Sequence, residues 1–473
     1  MRIAPAGFGR DAWPEADVHF FSDVFHNRTA AECRLLARRS FEQLPRGGSG
    51  FRAMSRDARW IFLAGALLRM AVVPFLGPNG ADNHYEIIEH LLREGRLPLT
   101  GLYAQSYHPP AYYLLGAPFA LIGGPRGVQV LSLILSIANL WLLVRLLDRA
   151  IVEKQGRWMA MIFVATLPVF VLYSLLVSND GLALLVGTVC LLAALRVVER
   201  PSVTSIALAG LVAGLALSTK GTLLGHVAVL GVLAVWVAMR RMTPPRAAVA
   251  IALFVALASI LGAYKFVENQ IHLGRPVVHN MEFGQPWVKK QQPVVDGPAA
   301  LVRFDLPRLL EEPILVEREG RWNYPRSVPA LLYGTFWYHT IPISNFRATT
   351  AAARRIAQAT YLLALVPTIL LVAGIAVALR RRPAGTIAVT MLLLNLGVVL
   401  AAGFRFDAFS SFHSRLLFGA MPALALALGW GVEWCGTRTP RVRQAAVAAM
   451  ALLFAAFVAY YAVEIRTVVT SYL

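Results

Sequence analysis

Charged side chains are scarce in this sequence. Asp, Glu, Lys and Arg make up 15% of 473 residues, against roughly 25% in a soluble globular domain. That is too little charge to dress the surface of a water-soluble enzyme of this length. Acid is the scarcer sign, with 26 Asp and Glu against 45 Lys and Arg, a net charge of +19. Such an excess can mark a nucleic-acid-binding surface. Here the basic residues instead gather at the ends of apolar runs, at Arg240–Arg241, Arg380–Arg381–Arg382 and Arg438, Arg441 and Arg443, so no nucleic-acid partner is expected. The three cysteines, Cys33, Cys190 and Cys435, lie too far apart for a zinc site or a disulfide framework. No apolar stretch followed by a small-residue cleavage site marks a secretory signal in the polar, Arg-rich residues 1–59. No strong internal repeat is visible, which argues against a transporter built from two similar halves.

Apolar length is what the chain has. Hydrophobic residues make up 57% of it and the mean hydropathy is +0.58. Runs such as Trp60–Leu76 (interrupted by Arg69), Gly127–Leu147, Thr222–Met239 and Thr386–Ala402 are each long enough to cross a hydrocarbon core of roughly 30 Å. Loop charge orders them. If every apolar segment crossed from a cytoplasmic N-terminus, the basic loops 145–157 and 239–246 would fall outside, against the positive-inside rule. Treating segments 110–122 and 328–344 as interfacial or re-entrant brings all the basic loops inside. The first is short and carries Pro109, Pro110 and Pro118 in or beside it; the second is rich in Tyr, Trp and Pro, with His339 and Pro342. The expected fold is therefore an all-α polytopic membrane protein of about eleven transmembrane helices, and at most about thirteen, with juxtamembrane helices in the first long outer loop.

This gives four regions. Residues 1–59 form a cytoplasmic extension, in part disordered, with Met54 as an alternative start. Residues 60–266 form an N-terminal transmembrane module whose first outer loop is 77–126. Residues 267–358 form a second outer loop with interfacial helices, and 359–473 hold the C-terminal spans. Glu282, Trp287, Lys289, Lys290 and Trp322 in the second loop belong to no readable motif.

Four polar features interrupt the apolar pattern, and the charge-derived topology puts all four on the outer side. In the first loop, Ile87, Ile88, Leu91 and Leu92 form one apolar face over Tyr85–Arg93, the period of a surface helix. Asp82, just before it, is either an N-cap or a carboxylate that activates an acceptor hydroxyl or amine. His84 and His108 are candidate phosphate contacts or ordinary interfacial histidines; the absence of a close ligand pair argues against metal. The second feature is Ser178-Asn179-Asp180-Gly181, where Asp180 either caps the next helix or faces a polar cavity. The third is Ser218-Thr219-Lys220-Gly221-Thr222. A lysine between two long apolar runs snorkels or has an anionic partner, and a lipid phosphate is the natural candidate. The fourth runs from Arg405 to Arg415 with Asp407, His413 and Ser414. An arginine fork suits phosphate; the alternative for Arg415 is a salt bridge to Asp407.

Taken in order, these pieces resemble the GT-C membrane glycosyltransferases, in the bacterial branch related to protein O-mannosyltransferases and lipid A aminoarabinose transferases. The resemblance is carried by Asp82 with His84–Tyr85, Gly95-Arg96-Leu97-Pro98, His108-Pro109-Pro110 with Tyr112–Tyr113, Ser178-Asn179-Asp180-Gly181-Leu182, Ser218-Thr219-Lys220-Gly221, and Ser414-Arg415-Leu416-Leu417 with Met421-Pro422-Ala423-Leu424. It covers roughly residues 60–435. It implies a GT-C-like helical bundle in the cytoplasmic membrane with its active site at the outer, periplasmic face. It also implies a polyprenyl-phosphate sugar as donor, a lipid, glycan or protein as acceptor, inversion at the anomeric carbon, and no required metal or other cofactor. Asp82 then takes the role of base or acceptor-orienting group. His84, Tyr85, His108, Asp180, Lys220, Arg405 and Arg415 are the expected contacts to substrate or lipid phosphate. The acidic residue that aminoarabinose transferases carry before the Lys-Pro turn is missing, since Tyr107-His108-Pro109 stands there. The runner-up reading is a flippase or transporter of a lipid-linked or phosphorylated sugar.

Overall fold

The computed structural model describes residues 54–472, apart from 81, 284–292, 296, 315–316, 319–320, 323–325, 339–342, 382 and 439. The expectations for residues 1–53 and for Trp287, Lys289, Lys290, His339 and Pro342 lie outside the described residues, as does the side chain of Trp322. The chain divides at Ser55, and everything below concerns Arg56–Leu473.

The protein is helical. Apart from a two-residue antiparallel ladder, Glu317–Arg318 with Arg321–Trp322, the described elements are α- and 3-10 helices. Eight helices among the described residues are long and apolar enough to cross a membrane, and the bent pair Lys154–Thr166 and Pro168–Leu175 makes a ninth if taken as one span. Pro168 has no N–H to continue the ladder, and the pair bends there by 44°. The other two expected crossings, 60–76 and 203–218, correspond to the helices Arg56–Val72 and Val203–Leu217, of 17 and 15 residues.

Both segments withheld from the span count behave distinctively. Val328–Trp337 is a buried helix of 10 residues, too short for a bilayer. Segment 110–122 is the first limb of a 40-residue helix, Ala111–Ala150, that breaks at Gly123 and Gly124. Gly124 has φ +56° and ψ −142°, a conformation that a Cβ resists. At the bend, a Cβ on Gly127 would lie 2.0 Å from the carbonyl oxygen of Phe119. The limb carrying His-Pro-Pro is thus turned out of line with the span that follows.

The helices place two kinds of residue at opposite ends. Asp180–Glu199 starts at Asp180 and ends beside Arg196 and Arg200; Leu224–Arg241 starts just after Lys220 and ends at Arg240–Arg241. Ala384–Phe406 begins after Arg380–Arg381 and ends at Arg405. At 1.5 Å per residue, twenty helical residues hold the two ends about 30 Å apart.

Candidate active site

The loop holding Asp82 is stitched to its surroundings through the backbone. Leu76 O accepts from Arg126 (2.8 Å) and Gln129 (3.1 Å), Gly77 O from Ser344 Oγ (3.0 Å), and Pro78 O from the Val177 amide (2.8 Å). His84, not Asp82, holds the N-cap position of helix Tyr85–Glu94, and no side chain caps it. The Asp82 carboxylate is turned to Arg415 instead, at 2.5 Å, with Gln105 Nε2 donating to its other oxygen at 3.4 Å. The capping reading of Asp82 is therefore corrected.

Asp180 also serves another partner. Asn179 occupies the N-cap position without a side-chain cap, while Asp180 forms a buried ion pair with Lys220 and accepts from Ser178 Oγ at 3.2 Å. The anionic partner that Lys220 required is thus within the chain. The Lys220 turn is fixed by the His-Pro-Pro segment, since the Ala111 amide, left over at the helix start, donates to Ser218 O at 2.8 Å.

Arg415 is pinned by its own turn. His413 Nδ1 accepts the Arg415 amide (3.1 Å), which leaves the ring proton on Nε2, 3.3 Å from Tyr173 Oη. The guanidinium lies 5.3 Å from the centroid of the Tyr173 ring, a cation–π distance. The alternative pairing with Asp407 is corrected: Asp407, in the left-handed conformation at φ +41°, accepts the amides of Val294 (2.9 Å) and Val295 (2.8 Å).

Electrostatics tie these groups together. Burial pushes the Asp82 pKa up, but its cationic neighbours, Arg415 first and Lys220 after it, outweigh burial and hold the carboxyl below its ordinary range. Burial drops His84 to about 4 against the pull of Asp82 and Asp180, so the ring is neutral; its Nδ1 lies 2.9 Å from Tyr113 Oη. His108 is held well below the ordinary imidazole range, by burial first and then by its charged surroundings, and it stacks on His84 at 5.3 Å. Tyr85 does not share this cluster; its hydroxyl lies at the bend beside Gly124.

Beside the cluster opens a cavity of about 310 Å³. Its polar lining includes His108, Lys220, Lys265, His279 and Arg405; Val398, Val399, Ala401 and Ala402 of helix Ala384–Phe406 form an aliphatic wall. Asp82 and Arg415 are not among its lining residues. Tyr107 and His108, whose ring centroids are 4.0 Å apart, both line it.

Sequence reasoning missed His279 and Lys265. His279 is stacked on Phe406 at 4.5 Å and lies 5.5 Å from Tyr107, and burial with Arg405 holds it neutral, at about 4. Lys265 pairs with Glu268 at 2.8 Å. Neither sits in a motif, so only the fold brings them to the cavity. No cluster of three or more His, Cys, Asp or Glu that could hold a metal ion occurs among the described residues.

Residues 107–259, which include His108, Asp180 and Lys220, match the family model described as dolichyl-phosphate-mannose-protein mannosyltransferase. Among solved structures the chain is similar to the cryo-EM structure of the arabinofuranosyltransferase AftD from mycobacteria, with a TM-score of 0.45 and 18% identity over 87% of this chain. The likeness spans 27% of the length of that enzyme. No curated protein matches. The match to this family model, over about a third of the chain, lies on a bundle of helices long and apolar enough to cross a membrane.

Proposed function

We infer that the protein transfers a sugar from a polyprenyl-phosphate donor to a lipid, glycan or protein acceptor at the outer face of the cytoplasmic membrane. The cavity carries this reading. It offers Lys220, Arg405 and neutral His108 and His279 beside an aliphatic wall, and a phosphate with an isoprenoid tail needs both surfaces. The position of these residues at the helix ends remote from the basic loops supports the outer face.

The donor phosphate lies near Lys220 and Arg405. As the acceptor oxygen bonds to the anomeric carbon, the carbon–oxygen bond to phosphate breaks and the phosphate leaves with the electron pair. Lys220 and Arg405 stabilise the charge that develops there. Asp82 takes the acceptor proton; Arg415 keeps it ionised and fixes its direction. Attack from the face opposite the phosphate inverts the anomeric centre. Asp180 holds Lys220 in place.

The test is Asp82→Asn in membranes supplied with labelled lipid-linked sugar. Transfer should fall by about a hundredfold or more, with binding of polyprenyl phosphate retained. Undiminished transfer would remove Asp82 from the reaction.

A further inference from the structure

The cavity's cations are already paired in this structure: Lys220 with Asp180, Lys265 with Glu268, and Arg405 with Glu282. Asp180 and Glu268 are not among the residues that line the cavity. Glu282 differs, since it is the only carboxylate among the described residues that line the cavity. It lies 3.1 Å from Arg405 and also pairs with Arg275. Its side chain is 10% exposed, and no hydrogen bond of good geometry reaches either of its oxygens. A buried carboxylate held only by charge, with its lone pairs unfilled, is poorly satisfied. It also sets a negative charge where an anionic ligand would meet Arg405.

The segment that carries Glu282 follows a helix end and meets the chain through Phe283 beside Gly101 and through buried Val278 and Met281. Gly274 ends helix Tyr264–Leu273 in the left-handed conformation, at φ +70°. Asn269 donates to Pro276 O at 3.2 Å, His279 rests on Phe406, and Glu282 closes the far end on Arg275 and Arg405.

We propose that Glu282 is an internal stand-in for the ligand's phosphate, occupying Arg405 while the cavity is empty and yielding it to a polyprenyl phosphate, which frees residues 279–283 from helix Ala384–Phe406. The inference rests on the donor reading above and adds a competitor to it. The site then selects for phosphate, because a ligand lacking charge gains nothing by displacing Glu282. After transfer, the polyprenyl phosphate product carries more negative charge than the diester donor, and return of Glu282 to Arg405 opposes its retention.

The full chain, reconstituted in nanodiscs, is titrated with undecaprenyl phosphate and with undecaprenol as the neutral control. Glu282→Gln should bind undecaprenyl phosphate about threefold to tenfold more tightly than the parent, since a like charge is removed, and should leave undecaprenol unchanged. In the parent protein, amide exchange over 279–283 should rise with undecaprenyl phosphate and not with undecaprenol; this readout stands alone if the variant does not fold. Unchanged or weaker binding by Glu282→Gln, or exchange that falls on binding, overturns the proposal while leaving the donor reading intact. Parent protein that binds undecaprenyl phosphate no better than undecaprenol overturns the donor reading and this inference with it.

Discussion

Asp82 has two opposed influences, and their balance is testable. Burial alone would lift its pKa toward neutrality; Arg415 is the largest of the influences that reverse this. A carboxylate acting as base works above its pKa and fails as pH falls through it. The parent enzyme should therefore keep its rate from pH 8 down to about 5, the acid limb lying below the ordinary carboxylate range. Arg415→Met removes the largest of the lowering influences, and the limb should move up by about one to three pH units, read from single-turnover transfer across that range. An unmoved limb would mean that Arg415 does not set the charge of Asp82. The second pair makes a different prediction. Lys220 and Asp180 are 8% and 2% exposed, so Lys220→Met leaves a buried carboxylate unpaired and should cost about 3–5 kcal/mol of stability. Adding Asp180→Asn should recover most of that in thermal unfolding, without restoring transfer. The members of both pairs were legible as isolated charges at the ends of apolar runs. The pairing was not: Asp82 and Arg415 are far apart in sequence, and helix packing, not spacing, decides that Arg415 meets Asp82 while nearby Asp407 turns to Val294 and Val295.

Helix contacts set the distances between those pairs, and one glycine bears much of the burden. A Cβ on Gly187, in the middle of helix Asp180–Glu199, would lie 2.2 Å from the carbonyl oxygen of Gly419 and 2.7 Å from its Cα. Gly419 closes the 3-10 segment Ser414–Ala420 that carries Arg415. Backbone cannot step aside as a side-chain tip can, so Gly187→Ala must drive the Asp180 helix and the Arg415 segment apart. Displacement of about 1 Å at a reacting centre can cost on the order of a hundredfold in rate; kcat for transfer should fall by about tenfold to a hundredfold although no site residue has changed. Gly397→Ala, which has open space around it, is the control and should be silent. Apolar runs long enough to cross a bilayer announced the helices themselves. Their breaks were less legible: the Gly123–Gly124 bend depends on backbone angles that neighbouring packing imposes, and the split at Pro168 follows a rule that holds for prolines generally but does not fix the angle. The 203–218 run is matched by the helix Val203–Leu217, which ends at the Ser218–Lys220 turn.

At the scale of the whole molecule, the site lies at one end of the helices and the arginine-rich loops at the other, which is the pattern expected when an anionic cytoplasmic interior retains the basic ends. The net charge of +19, misleading as a bulk property, becomes informative once divided between the two ends. Cysteine labelling tests the division. With Cys33 replaced by Ser, Cys190 and Cys435 remain, and both are buried. Val302, 79% exposed in the long segment between Tyr264–Leu273 and Ala351–Leu363, is a suitable probe for the site end. Exposed Thr243, between two spans and beside Arg240–Arg241, reports the other. In right-side-out vesicles, Val302→Cys should react with a membrane-impermeant maleimide, and Thr243→Cys should react only after detergent is added. The reverse pattern would place the cavity on the cytoplasmic side, where nucleotide sugars are also available as donors, and the case for a lipid-linked donor would then rest on the aliphatic wall alone. The expected pattern leaves the donor with a bilayer to cross before it reaches Lys220 and Arg405, and a sugar crosses as the headgroup of a flipped lipid more readily than as a free, doubly charged nucleotide conjugate.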